Sequence, residues 1–168
     1  KFGIPVGETF AGKGSIRRES ALLLGSHGVS GSPPSAKIAS QADLVICVGT
    51  RLSDFATGSQ SAFQNSQVRF IGINVSGHDA YKQGALPVLA DAREALRALS
   101  VAAEAAGVQP DPAYIKDISA VKESWDRQLK EDVYQQVPGE AMSQAQLTGV
   151  LNEEARTGDT LVASASTP

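Results

Sequence analysis

Chemistry in this chain has two natural seats. One is the loop Gly25-Ser26-His27-Gly28-Val29-Ser30-Gly31, and the other is the polar turn Gly49-Thr50-Arg51-Leu52-Ser53-Asp54-Phe55. Glycines at a spacing of three let a backbone approach a phosphate or a ring closely. His27 inside that loop could contact a ligand ring, or bond a neighbouring carbonyl. The glycine pattern alone is a weak signal, because it also occurs in ordinary tight loops and here follows no recognisable strand. Other chemistries are set aside. His27 and His78 have no Cys or His partners at metal-ligand spacing, and no Gly-x-Ser-x-Gly elbow occurs. Ala11-Gly12-Lys13-Gly14 lacks the full phosphate-loop pattern and reads as a turn. Cys47, inside LVICVG, reads as a small buried hydrophobe rather than a reactive thiol.

Both seats need a frame. Residues 44–49 form a nearly unbroken apolar run, which predicts a parallel strand covered on both faces. Arg51, Ser53 and Asp54 then stand at its carboxyl end, where open parallel sheets gather ligands. Ser32-Pro33-Pro34 predicts a cap and a first-turn proline for a short helix through Ala39. Its N-terminus beside the glycine loop favours an anion, or is merely a capped crossover. Further strands are predicted over 4–8, 69–75 and 86–90, with a polar stretch over 60–67 that turns Phe63 inward.

A helix over 91–106 carries the capping box Asp91-x-x-Glu94, an apolar stripe of Leu96, Leu99 and Ala103, and a stop at Gly107. Gln109-Pro110-Asp111-Pro112 reads as a linker into a long amphipathic helix with Ile118, Val121, Trp125, Leu129 and Val133 on one side. Trp125 there is a packing anchor rather than a substrate platform, and Val137-Pro138-Gly139 ends the helix. A second capping box, Ser143-x-x-Gln146, opens a helix with a Leu147, Val150, Leu151 stripe, followed by a Gly158 turn and a strand over 159–164. The expected division is a central domain over 1–109, a linker and amphipathic helix over 110–142, and the start of another domain over 143–168.

Bulk properties narrow the class. With 168 residues, 42% apolar and 20% charged, the chain can bury a sizeable core, and its net charge of −3 offers no basic surface for nucleic acid. No apolar run approaches membrane-spanning length, and the opening residues resemble neither a signal nor a transit peptide. A lone cysteine and this composition fit a cytoplasmic protein. Both ends read as cut, as though a first strand and helix preceded Lys1.

Three motifs in order carry a resemblance: Leu24-Gly25-x-His27-Gly28, then Ala42-Asp43-Leu44-Val45-Ile46, then Gly49-x-Arg51-x-x-Asp54. Together with Ile4-Pro5-Val6-Gly7-Glu8-Thr9, Ala11-Gly12-Lys13-Gly14 and the run from Gly49 to Ser59, they resemble the central domain of thiamine diphosphate-dependent enzymes of the acetolactate synthase superfamily. The resemblance covers most of the chain. It implies a three-layer α/β fold with a mainly parallel, Rossmann-like sheet of the DHS-like NAD/FAD-binding type. It also implies a vestigial nucleotide pocket lined by Gly25, His27, Gly28, Arg51 and Asp54. Asn74 stands where the family usually has an aspartate beside the nucleotide, so FAD is not expected.

Thiamine diphosphate and Mg²⁺ belong to the parent protein, with their activating glutamate and metal motif outside this segment. Glu8 occupies a central-domain position and is not that glutamate, so no catalytic residue and no metal ligand is expected here. Within the superfamily the pattern lies nearest the branch of myo-inositol catabolism that opens a cyclic 1,2-dione by hydrolytic C–C cleavage. The alternatives are an acetolactate synthase-like carboligase and a non-catalytic nucleotide-binding module of the same fold. In acetolactate synthases the turn continues with a second arginine that receives a keto-acid carboxylate. Phe55 takes that place here, at the rim of the substrate site. The implied partners are the remaining domains of the parent chain and further copies, in a dimer or tetramer, with no nucleic acid and no membrane.

Overall fold

A computed structural model describes residues 1–135 and 139–162. The chain divides into two compact units, Lys1–Glu123 and Ser124–Pro168.

The first unit alternates strands with helices. β1 (Val6–Glu8) pairs with β2 (Leu23–Ser26), while β3 (Leu44–Val48), β4 (Arg69–Asn74) and β5 (Leu86–Leu89) form a three-stranded section in that order. Every pairing is parallel, with Ile46 opposite Ile71 and Ile71 opposite Leu86. Helices between the strands make this the α/β, Rossmann-like arrangement that the sequence implies. β1 begins at Val6 rather than at Ile4, because Pro5 has no N–H and the ladder opens with the Val6 amide on the Leu22 carbonyl at 2.8 Å.

Two expectations are corrected. The glycine loop does follow a strand, β2, which leads straight into it. The apolar run of β2 is only Leu22-Leu23-Leu24 before small residues take over, too short to stand out by pattern. In β3, only Cys47 is buried, and Leu44 and Val48 remain 41% and 38% exposed, so cover on both faces is incomplete. Edge strand β5 is also open at Leu86 and Leu89.

α1 (Pro33–Gln41) starts as expected. Ser32 is its N-cap, its Oγ accepting from the Ser35 amide at 3.4 Å and donating to the Leu24 carbonyl at 2.6 Å. The cap therefore also ties the helix start to β2. Leu24 of β2, Ile38 of α1 and Ile118 pack together as the core, with Leu22 against them. Ile118 comes from α5 (Pro112–Gln128), which opens with the Asp111 carboxylate accepting from the Ala113 amide at 2.8 Å. Lys122 on the same helix donates to the Ser20 carbonyl at 2.9 Å. α3 (Gly77–Ala80) lies directly on β4, where a Cβ at Gly72 would stand 2.2 Å from the Ala80 carbonyl oxygen.

α4 (Ala92–Ala105) is capped by Asp91, whose carboxylate accepts from the Arg93 and Glu94 amides. Glu94 is bonded to Arg97 rather than closing the box. Gly107 ends the helix with φ +69°. Along the expected apolar stripe Leu96 and Leu99 stay 44% and 38% exposed, and no residue of α4 is buried.

In the second unit the helix winds into a π-turn at Leu129–Val133, and the expected stop at Val137-Pro138 lies outside the described residues. α6 (Gln144–Glu154) carries the complete capping box of Ser143 and Gln146. Gly149 lets α6 close on Tyr134, whose Cγ lies 2.8 Å from where a Cβ would be. The Gly158 turn forms, but residues 159–162 are not in a strand, with Leu161 and Val162 71% and 88% exposed. A strand needs a neighbour for its backbone groups, and these residues pair with none among the described residues. The rest of that expected strand lies outside the described residues. No helix is long and apolar enough to cross a membrane among the described residues.

Candidate functional site

The carboxyl ends of β1, β2 and β3 present their loops on one edge of the fold. After β1 comes a 3-10 turn, Phe10–Gly12, and after β2 the glycine loop. After β3 come the Thr50-to-Ser53 turn and the short helix α2 (Asp54–Thr57). The loops are locked to one another by backbone bonds. The His27 amide donates to the Glu8 carbonyl at 2.7 Å, and the Val29 amide donates to the Phe55 carbonyl at 2.9 Å.

This locking explains the glycines. At Gly28, with φ +109°, a Cβ would stand 2.4 Å from the Phe55 carbonyl oxygen. At Gly25 it would stand 2.9 Å from Ser32 Oγ, and at Gly31 2.7 Å from the Gly28 carbonyl oxygen. The space that each glycine leaves free is filled by the protein's own atoms.

His27 Nδ1 lies 3.0 Å from Ser35 Oγ, and its ring packs on Phe63 at 5.4 Å between centroids, with Phe63 in turn edge-on to Phe70. Phe63 is thus turned inward as expected. Burial holds the His27 imidazole below its ordinary pKa, so the neutral ring is favoured. Its Nε2 is buried without a hydrogen-bond partner among the described residues. His27 and Gly28 line a cavity of about 220 Å³ with Gly31, Ala36, Gly58 and Ser61. Arg51 and Asp54 are exposed and do not line it, and Gly25 sits back in β2. Of the five residues expected around a nucleotide, the structure gathers His27 and Gly28 at this cavity.

Glu8 is buried and its carboxylate accepts from the Ile16 amide at 2.9 Å, which fastens the loop after β1. Asn74, also buried, clamps two loops: its Nδ2 donates to the Thr50 carbonyl at 3.2 Å and its Oδ1 accepts from the Ser76 amide at 3.0 Å. An aspartate could accept but not donate, so the amide at this position has a structural reason. The thiol of Cys47 is pushed up to about 11 by burial, as befits an inert side chain. A second cavity, about 190 Å³, lies by Ile38, Asp43 and Tyr114 at the amino end of β3, away from these loops.

Phe55 follows a tight turn and faces outward. Gly49 and Leu52 both have left-handed backbones, with φ +62° and +43°, and the Leu52 side chain is buried. Ala56 and Thr57 on α2 are buried, and Phe55 between them and Asp54 points out, 49% exposed. Sequence reading missed Phe10, 76% exposed, which meets the Phe55 ring edge-on at 6.4 Å. The available signal was an aromatic residue directly after a strand and just before a glycine turn.

A parallel α/β unit with its loops and a cavity at the carboxyl edge has the architecture in which open α/β sheets take their ligands. Residues 1–99 match the family described as thiamine pyrophosphate enzyme, central domain, and the chain belongs to that family. Among curated proteins, a 3D-(3,5/4)-trihydroxycyclohexane-1,2-dione hydrolase 2 of Bacillus cereus is 45% identical over 128 residues, covering 76% of this chain and 20% of its own. Proteins named 3D-(3,5/4)-trihydroxycyclohexane-1,2-dione hydrolase from Bacillus anthracis and Bacillus thuringiensis are 44% identical with the same coverage. The match thus spans about a fifth of the length of these relatives.

Proposed function

We propose that this chain is the central-domain part of a thiamine diphosphate-dependent hydrolase of myo-inositol catabolism that cleaves a C–C bond of a cyclic 1,2-dione and so opens the ring. The observation that carries this reading is the 45% identity to the trihydroxycyclohexane-1,2-dione hydrolase over 128 residues. The thiamine group, when bound, supplies the carbanion chemistry of C–C cleavage. The described residues do not suit it: the buried Glu8 carboxylate fastens the Ile16 amide, and no acidic or His/Cys set among them could hold a metal ion. In this reading the cofactor, its Mg²⁺ and the catalytic residues belong to the other domains of the protein. The role of this chain is to hold the rim of the substrate site and to support assembly as a dimer or tetramer in the cytoplasm.

Phe55 supports the dione over the acetolactate synthase alternative. A keto-acid carboxylate facing phenylalanine rather than arginine forgoes a charge-assisted contact of roughly 1.5–3 kcal/mol, or about one to two powers of ten in preference. The His27 cavity holds no flavin in this reading, since Gly28 and Gly31 face the protein's own carbonyl oxygens rather than open space. The test assays the intact protein for ring opening of trihydroxycyclohexane-1,2-dione and for acetolactate formation from pyruvate. Ring opening with little acetolactate is expected, and efficient acetolactate formation overturns the assignment.

A further inference from the structure

We propose that Phe10 and Phe55 form an aromatic clasp that positions the substrate's six-membered ring by its C–H face, with Phe10 a substrate-positioning residue. This rests on the reading of the protein as a cyclic-dione hydrolase.

Phe10 and Phe55 are both exposed and meet ring to ring on turns that are themselves hydrogen-bonded. Phe10 sits on the 3-10 turn after β1, which is closed by the Gly12 amide on the Thr9 carbonyl at 2.9 Å and by Ser15 Oγ on the Gly12 carbonyl at 2.6 Å. Phe55 is fixed by the buried, left-handed Leu52 before it and the buried Ala56 and Thr57 after it. The Phe55 carbonyl is also engaged by the Val29 amide. The two rings meet edge-on at 6.4 Å with planes 77° apart, so together they form an angled aromatic corner.

The corner lies at the carboxyl ends of β1 and β3, the edge where open parallel sheets take their ligands. An angled corner of two rings suits a small saturated ring better than an extended chain. In a trihydroxycyclohexane-1,2-dione, carbonyl and hydroxyl groups withdraw charge from the ring C–H groups. Those hydrogens carry partial positive charge and suit the negative faces of aromatic rings. The clasp offers no charge, which also suits an uncharged polyol.

The experiment uses the intact protein with thiamine diphosphate and Mg²⁺, comparing wild type with Phe10→Leu, Phe10→Tyr and Phe55→Leu. The probe is 3D-(3,5/4)-trihydroxycyclohexane-1,2-dione. Phe10→Leu is expected to raise KM about tenfold with a much smaller change in kcat, and Phe10→Tyr to restore it, because an aromatic face rather than bulk is required. Saturation-transfer NMR gives a readout apart from turnover: transfer from aromatic protein protons to the ring C–H protons should fall in both leucine variants. If wild type turns the dione over while Phe10→Leu keeps its KM and its transfer signal, the clasp is overturned and the hydrolase reading stands. If Phe10→Leu instead alters only the sedimentation behaviour, the patch is a protein contact and the clasp is likewise overturned. If wild type neither turns over nor receives transfer, the hydrolase reading fails and takes the clasp with it.

Discussion

His27 shows how one buried side chain sets a pH dependence. Its ring is wedged between Ser35 and Phe63, and desolvation lowers its pKa from the ordinary 6.5. The folded state thus prefers the neutral ring more strongly than the unfolded state does. This contribution is whole above the unfolded value and is lost as pH falls from there through the lowered folded value. Stability should therefore drop on acidification below about pH 6.5, and His27→Gln should flatten that part of the profile. Urea midpoints of both proteins at about pH 7.5 and pH 5 check this, and parallel profiles would show that His27 is not the titrating group.

At the scale of elements, Ser32 joins α1 to β2 through one hydroxyl. It caps α1, bonds the Leu24 carbonyl on β2, and fills the space that Gly25 leaves. Ser32→Ala removes the cap and leaves a partly buried carbonyl unpaired, at a cost of about 1–2 kcal/mol. Chemical denaturation reads this as a lower midpoint at unchanged slope. A change below a few tenths of a kcal/mol would mean that water replaces the hydroxyl at both bonds. The glycine loop is thus a structural joint between β2, α1 and α2, and the outward side chains around it are what remain for a ligand.

For the molecule as a whole, the long helix matters most in its first half. Ile118 is 0% exposed and completes the core with Leu24 and Ile38, so the unit Lys1–Glu123 includes the segment after the Pro110 and Pro112 linker. Ile118→Ala should destabilise this unit by about 2–5 kcal/mol, the range for a large-to-small change in a closed core. Thermal melting followed by circular dichroism measures it. A shift no larger than that of an exposed substitution such as Lys116→Ala would show that α5 is not part of this unit's core.

The parallel α/β class, the start of α1, the cap of α4 and the capping box of α6 were legible from the chain, because each depends on local signals: an apolar run, a cap, a proline in the first turn. So was the family, carried by motifs in fixed order. The partners of those local pieces were not legible. The strand β2 was hidden by its short apolar run, and residues 159–162 carried a strand pattern that finds no neighbour among the described residues. The roles of Gly25, Gly28 and Gly31 were decided by which carbonyl or hydroxyl came to fill the space beside them. The pairing of Phe10 with Phe55 spans 45 residues of sequence and exists only because β1 and β3 end on the same edge. Local propensity is written residue by residue, whereas such contacts between distant segments arise only when the sheet is assembled.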